Sequence, residues 1–139
     1  MRTLDQLITT HGVDVDPHLD RQATVPITAG LQRQGDVIVI PAAMLAEAEV
    51  VTNLVPREGI PVVRGEAGGN THLLLGDGPV FYAPAPQRSG SLDLGTLTVP
   101  AGSTAYLAHP EHAYSGIAPG TYVIRRQREQ ADVIRVVAD

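Results

Sequence analysis

From residue 34 onward, glycine and proline cut the chain into short runs rich in Val, Ile, Leu, Thr and Tyr. Such runs, recurring about every ten residues between turn signals, specify the strands of a small barrel or sandwich. Gly35-Asp36 marks a turn into Val37-Ile-Val-Ile40, which reads as a strand buried on both faces and closed by Pro41. Residues 42–49 are good helix formers and are expected to make a short helix. Ile60-Pro-Val-Val63 resumes as a strand, at an edge because Pro61 has no N–H to give to a neighbour. Glu66-Ala-Gly-Gly-Asn70 reads as a turn or bulge, Thr71-His-Leu-Leu-Leu75 as the next strand, and Gly76-Asp-Gly78 as a hairpin turn into residues 79–82. Residues 83–91 are Pro- and Gly-rich and read as an exposed loop. Further strands are expected at 92–99, 104–109, 122–128 and 133–137, with turns at Pro100-Ala-Gly102 and Pro119-Gly120.

The expected fold class is therefore mainly β, a small single-domain β-barrel or β-sandwich built from residues 34–139. Residues 1–33 are expected to form an N-terminal arm, beginning with a short helix capped by Thr3 and carrying Leu4, Leu7 and Ile8 on one face. Residues 12–20 alternate oxygen-bearing side chains as a calcium loop does. Leu19 stands where the glycine should be and Val25 where the bidentate glutamate should be, so no calcium site is expected.

A chain of 139 residues is long enough to bury one core without covalent staples. It has no cysteine, so any metal must take imidazole or carboxylate ligands. The net charge of −5, with every basic residue an arginine, argues against a general nucleic-acid binder. No apolar run approaches the roughly 18 residues of a membrane span. The first residues lack a signal-peptide pattern, and a cytoplasmic location is expected.

Four motifs occur in order: Gln34-Gly-Asp followed by apolar residues, Gly65-Glu66 through Asn70-Thr71-His72, His109-Pro-Glu-His112, and Pro119-Gly-Thr-Tyr-Val-Ile-Arg-Arg-Gln-Arg-Glu129. In this they resemble a family of small hypothetical proteins from bacteria and phages. That family shows Gln-Gly-Asp, Gly-Glu…Gly-His-x-His, Thr-His-x-Glu-His and Pro-Gly-x-Tyr…Arg-Gln-Arg-Glu-Tyr over the equivalent of residues 33–139. The resemblance implies no particular activity. Two positions depart from the pattern: Asn70 replaces the first histidine of His-x-His, and Gln130 replaces the final tyrosine. If the relatives bind metal through four histidines, this chain is one ligand short.

Proline suits the second position of a type I turn, and such a turn at residues 109–112 would hold the Cα atoms of His109 and His112 within about 7 Å. Two imidazoles that close are able to share an ion, with Glu111 as a further ligand or as a partner that fixes a tautomer. His72, just after the glycines, supplies a third imidazole. The candidate metal set is thus His72, His109, His112 and Glu111, for Zn, Fe, Mn or Ni, with Glu66 or Glu111 as candidate base. The bland reading makes these a solvated turn and a hydrogen-bonded strand residue. Arg125, Arg126 and Arg128 either grip a partner or protect an edge strand by charge, paired with Glu129 and Asp132. No serine-nucleophile elbow, phosphate loop or dinucleotide fingerprint is present, and whether the chain is an enzyme is left open. Three functions are consistent with these residues: a metal-binding β domain, a self-assembling homo-oligomer or phage-linked structural protein, and a regulatory module that uses the arginine strand.

Overall fold

A computed structural model describes residues 2–45, 51–63, 71–86 and 92–127. Helix α1 (Leu4–His11) starts as expected at Thr3. Thr3 Oγ1 accepts from the Gln6 N–H at 3.2 Å, and the Gln6 side chain accepts from the Thr3 N–H at 2.9 Å. This reciprocal box satisfies donors that a helix start would otherwise leave free. The helix ends at Gly12, whose φ of 78° would strain a residue with a Cβ.

Ten strands follow among the described residues: β1 (Ile27–Thr28), β2 (Gln32–Gln34), β3 (Val37–Pro41), β4 (Ile60–Val63), β5 (His72–Asp77), β6 (Phe81–Pro84), β7 (Asp93–Val99), β8 (Thr104–His109), β9 (Ala113–Ile117) and β10 (Gly120–Arg126). They make two five-stranded sheets. Sheet I has the order β1-β9-β8-β5-β4 and sheet II the order β2-β3-β10-β7-β6. Each sheet is open at its end strands, so of the two expected architectures the sandwich is found and the closed barrel is not.

The chain alternates between the sheets in antiparallel pairs. β2–β3 lies in sheet II, β4–β5 in sheet I, β6–β7 in sheet II and β8–β9 in sheet I. β10 then enters the middle of sheet II, between β3 and β7. The Gly76-Asp-Gly78 signal therefore does not close a hairpin. It carries the chain from β5 in one sheet to β6 in the other, where Pro79 lacks the N–H for continued pairing and Val80 turns inward to burial. β4 is an edge strand, as Pro61 required. A short 3-10 helix (Ala42–Leu45) stands where a longer helix was expected, and residues 46–49 of that expectation lie outside the described residues. The strand expected at 133–137 lies outside them as well.

Between the sheets, Val37, Val39, Leu74, Leu97, Leu107, Ile117, Tyr122 and Ile124 form the main core. Alternation fixes these contacts, because residues two apart on a strand share a face. The opposite face of sheet I is covered by the arm. Leu4, Leu7, Ile8, Val15 and Val25 pack there on Leu75, Tyr106, Ala108 and Tyr114. β8 is thus buried on both faces, which accounts for its continuous apolar run. The Tyr114 hydroxyl donates to the Val13 carbonyl at 2.8 Å, and the Asp16 N–H donates to the Pro110 carbonyl at 2.8 Å. Together they tie the arm to the β8–β9 hairpin.

Candidate functional site

On β5, His72 has the same parity as Leu74; on β8, His109 has the same parity as Leu107. Both imidazoles therefore face the interior between the sheets. The β5–β8 register pairs Leu73 with Ala108 and Leu74 with Leu107, and one step further along it places His72 opposite His109. Opposed residues on one face of an antiparallel pair are in side-chain contact. Their ring centroids are 4.4 Å apart. The hairpin turn adds His112, whose N–H donates to the His109 carbonyl at 3.2 Å and whose ring centroid is 4.6 Å from that of His109 and 6.2 Å from that of His72. Ala113, which follows, has φ 64°, a left-handed conformation uncommon outside glycine. The structure thus brings the three sequence-predicted histidines together at one end of the sandwich. His72 and His109 are buried and His112 is exposed.

The β2–β3 turn closes the other side of this group. Gly35 has φ 59°, and a Cβ built on it would stand 3.0 Å from His112 Nε2 and 3.3 Å from His72 Nε2. The bare glycine gives the two rings the space they share. Gln34 is buried, and its amide reaches across to sheet I. Asp36 is exposed beside the cluster, and its charge favours the protonated forms of both His72 and His109. Sequence reasoning treated Gln34-Gly35-Asp36 only as a turn. The signal was the motif itself, which opens the four-motif series shared with the similar family, but nothing local connected it to histidines 36 and more positions away.

Burial holds the pKa of His72 below the usual histidine value, with the neighbouring His109 second in effect. Burial likewise lowers His109, followed by His112, while Glu111, Asp36 and Asp16 act in the opposite direction. Both ring nitrogens of His72 are buried without a hydrogen-bond partner. The main chain of Gln34 lies near enough to favour a protonated ring, but neither ring nitrogen makes a well-aligned hydrogen bond with it. His109 Nδ1 accepts the Glu111 N–H at 3.1 Å, which assigns the proton of the neutral ring to Nε2. It is thus the Glu111 main chain that hydrogen-bonds His109, while its carboxylate acts on the ring through charge. Among the described residues, no three His, Asp or Glu side chains are arranged to hold an ion as they stand.

The lowered pKa values set a pH dependence. Both rings bind protons less well folded than unfolded, so their stability contribution is complete above the ordinary value of 6.5. It is lost as pH falls below that value towards the folded ones. Urea midpoints of metal-free protein, taken from about pH 8 to about pH 5, are expected to fall, and to fall less steeply in His72→Leu. Equal slopes in the two proteins would contradict the assignment to His72.

Arg125 and Arg126 do not lie on an edge strand. β10 is central in sheet II, with a bulge between Ile124 and Arg125 opposite β7. Arg125 Nε donates to Asp93 Oδ1 at 2.6 Å, so its charge is engaged within the sheet, and Arg126 is exposed. Arg128, the candidate base Glu66, the Asn70 substitution and the acidic partners Glu129 and Asp132 lie outside the described residues. No helix among the described residues is long and apolar enough to cross a membrane.

Two open β-sheets enclosing one core, with a histidine group at one end, define a small β-sandwich domain. Residues 33–127 match the family described as Domain of unknown function (DUF8820), and the chain belongs to that family. The matched stretch runs from the residue before Gln34 to the residue after β10, and so contains every residue of the histidine group. No curated protein and no solved structure matches the chain.

Proposed function

We propose that this domain binds a transition-metal ion through His72, His109 and His112. The observation that carries the reading is His72: it is 4 % exposed, both its ring nitrogens lack partners, and its ring lies 4.4 Å, centroid to centroid, from that of His109. A buried polar group without a partner costs about 1–3 kcal/mol, which an ion at this position would offset. The lowered pKa values favour the neutral imidazole that a metal requires, and the missing Cβ of Gly35 leaves room beside two of the Nε2 atoms.

One adjustment is needed. With Nδ1 of His109 accepting from Glu111, its Nε2 carries the proton. Ligation through Nε2 requires that proton to leave and the Glu111 hydrogen bond to be given up; ligation through Nδ1 displaces the Glu111 N–H directly. Ion binding would therefore require the hairpin turn to adjust. Imidazole ligands without thiolate favour Zn or Ni over Mn, which prefers oxygen. Glu111, whose charge acts on His109, is the proposed further ligand or base.

Tag-free protein stripped with a chelator and titrated with Zn, Ni and Mn tests this. Uptake of one Zn or Ni per chain is expected. At free ion near 100 times Kd, the protein should gain about 2.7 kcal/mol of stability. Uptake below about a tenth of an equivalent, with no change in the unfolding midpoint, would refute the reading.

A further inference from the structure

We propose that Gln34 is the positioning residue of this histidine site, gripping the hairpin that carries His109 and His112 and fixing its place relative to His72. The proposal rests on the metal reading above. Gln34 ends β2 in sheet II, yet its side chain is buried and crosses the interior to sheet I. Its Nε2 lies 2.8 Å from the Leu107 carbonyl, 3.0 Å from Ser115 Oγ and 3.3 Å from the Ala113 carbonyl. Leu107 and Ser115 are paired across β8 and β9, so these acceptors bracket the histidine turn on both of its strands. The orientation of the amide follows from its surroundings, because the reverse would set Oε1 against two carbonyl oxygens.

Two further facts connect the grip to the site. The residue after Gln34 is Gly35, the position at which a Cβ would crowd His72 and His112. A single dipeptide therefore sets both the hairpin's reach and the room for the rings. Gln34 Oε1 is buried without a partner, a cost that an apolar side chain of similar length would avoid. The amide is thus poorly suited as a simple packing residue. What it contributes is donor contact with the hairpin, from a strand 73 to 81 residues away in sequence.

The test uses the full chain without a tag. Gln34→Met keeps the length and removes the donors. Zn affinity is measured by competition with a chromophoric chelator, and the ligand field by the visible spectrum of the Co(II)-loaded protein. Gln34→Met is expected to keep one ion per chain, to bind it about 10- to 100-fold more weakly, and to shift the Co(II) spectrum. Ser115→Ala, which removes one acceptor, should give a smaller loss in the same direction. Val99→Ala is the control, since Val99 is core but lies on the strand end away from the histidines; it should lower the melting temperature and leave affinity and spectrum unchanged. If Gln34→Met does not fold, Ser115→Ala against Val99→Ala decides in the same way. Wild-type affinity and spectrum in the Gln34 or Ser115 variant, or an equal affinity loss in Val99→Ala, overturns the positioning role while leaving the metal reading in place. Failure of the parent chain to take up Zn, Ni or Co(II) overturns both.

Discussion

His72→Leu is expected to abolish ion uptake and at the same time to make the metal-free protein more stable. Leucine is close to imidazole in size and suits a site that is 4 % exposed and flanked by the core residue Leu74. It removes two buried nitrogens that lack partners, each costing about 1–3 kcal/mol in principle. A net gain of about 1–2 kcal/mol is expected once imperfect packing is set against that cost. Removing one of the three proposed ligands should weaken Zn or Ni binding by more than about 100-fold, since the loss exceeds that of a supporting contact. Calorimetric titration reads the first effect and urea unfolding of chelator-treated protein the second. A variant that loses stability and keeps its ion would show that His72 is a structural residue with a partner. The opposite directions of the two effects separate a ligand from a core histidine, whose replacement would lower stability and leave ion uptake unchanged.

Gly35→Ala should have the next largest effect. The φ of 59° places residue 35 in the left-handed region, which costs a residue with a Cβ about 1–2 kcal/mol. The new methyl also stands 3.0 Å from His112 Nε2, closer than most such contacts, so the exposed His112 ring must give by a few tenths of an ångström. Ion affinity is then expected to drop about tenfold or more. Gly35→Asn separates the two causes. Asparagine tolerates the left-handed conformation, so most of the stability should return while the crowding of the rings remains. Recovery of full ion affinity in Gly35→Asn would mean that backbone strain, and not space at the rings, explains the alanine variant.

The alternation of apolar residues made most of the strands legible, because burial on a sheet face imposes a period of two. The same reasoning places His72 with Leu74 and His109 with Leu107, which is two of the three histidines. What it could not supply was register. That His72 stands opposite His109 depends on how β5 pairs with β8, and residues 72 and 109 are joined by a chain path that leaves the sheet and returns. The same limit hid the role of Gln34-Gly35-Asp36 and led Gly76-Asp-Gly78 to be read as a hairpin. A turn's composition specifies that the chain reverses, and not which sheet receives it. The three-residue β2 and two-residue β1 were too short to leave a pattern, and β9, Ala-Tyr-Ser-Gly-Ile, carries too few β-branched residues to declare itself. The arginine run was misplaced at an edge because charge alone was weighed. In the structure Tyr122 and Ile124 hold β10 in the centre, and Arg125 and Arg126 fall at its end.

The central place of β10 also bears on the order in which this protein folds. The pairs β2–β3 and β6–β7 close locally, but neither touches the other in sheet II except through β10, which is made after both. Sheet II thus remains two separate hairpins, each with unpaired backbone along one side, until residues 120–126 insert between them. Contacts so distant in sequence make folding slow, on the order of milliseconds to seconds, and leave those open sides available for wrong pairing meanwhile. Because Gln34 is held on β2 and the histidines on sheet I, the histidine group is complete only once the β2–β3 hairpin has docked on sheet I. Under the metal reading, ion uptake would then report the docking of that hairpin on sheet I.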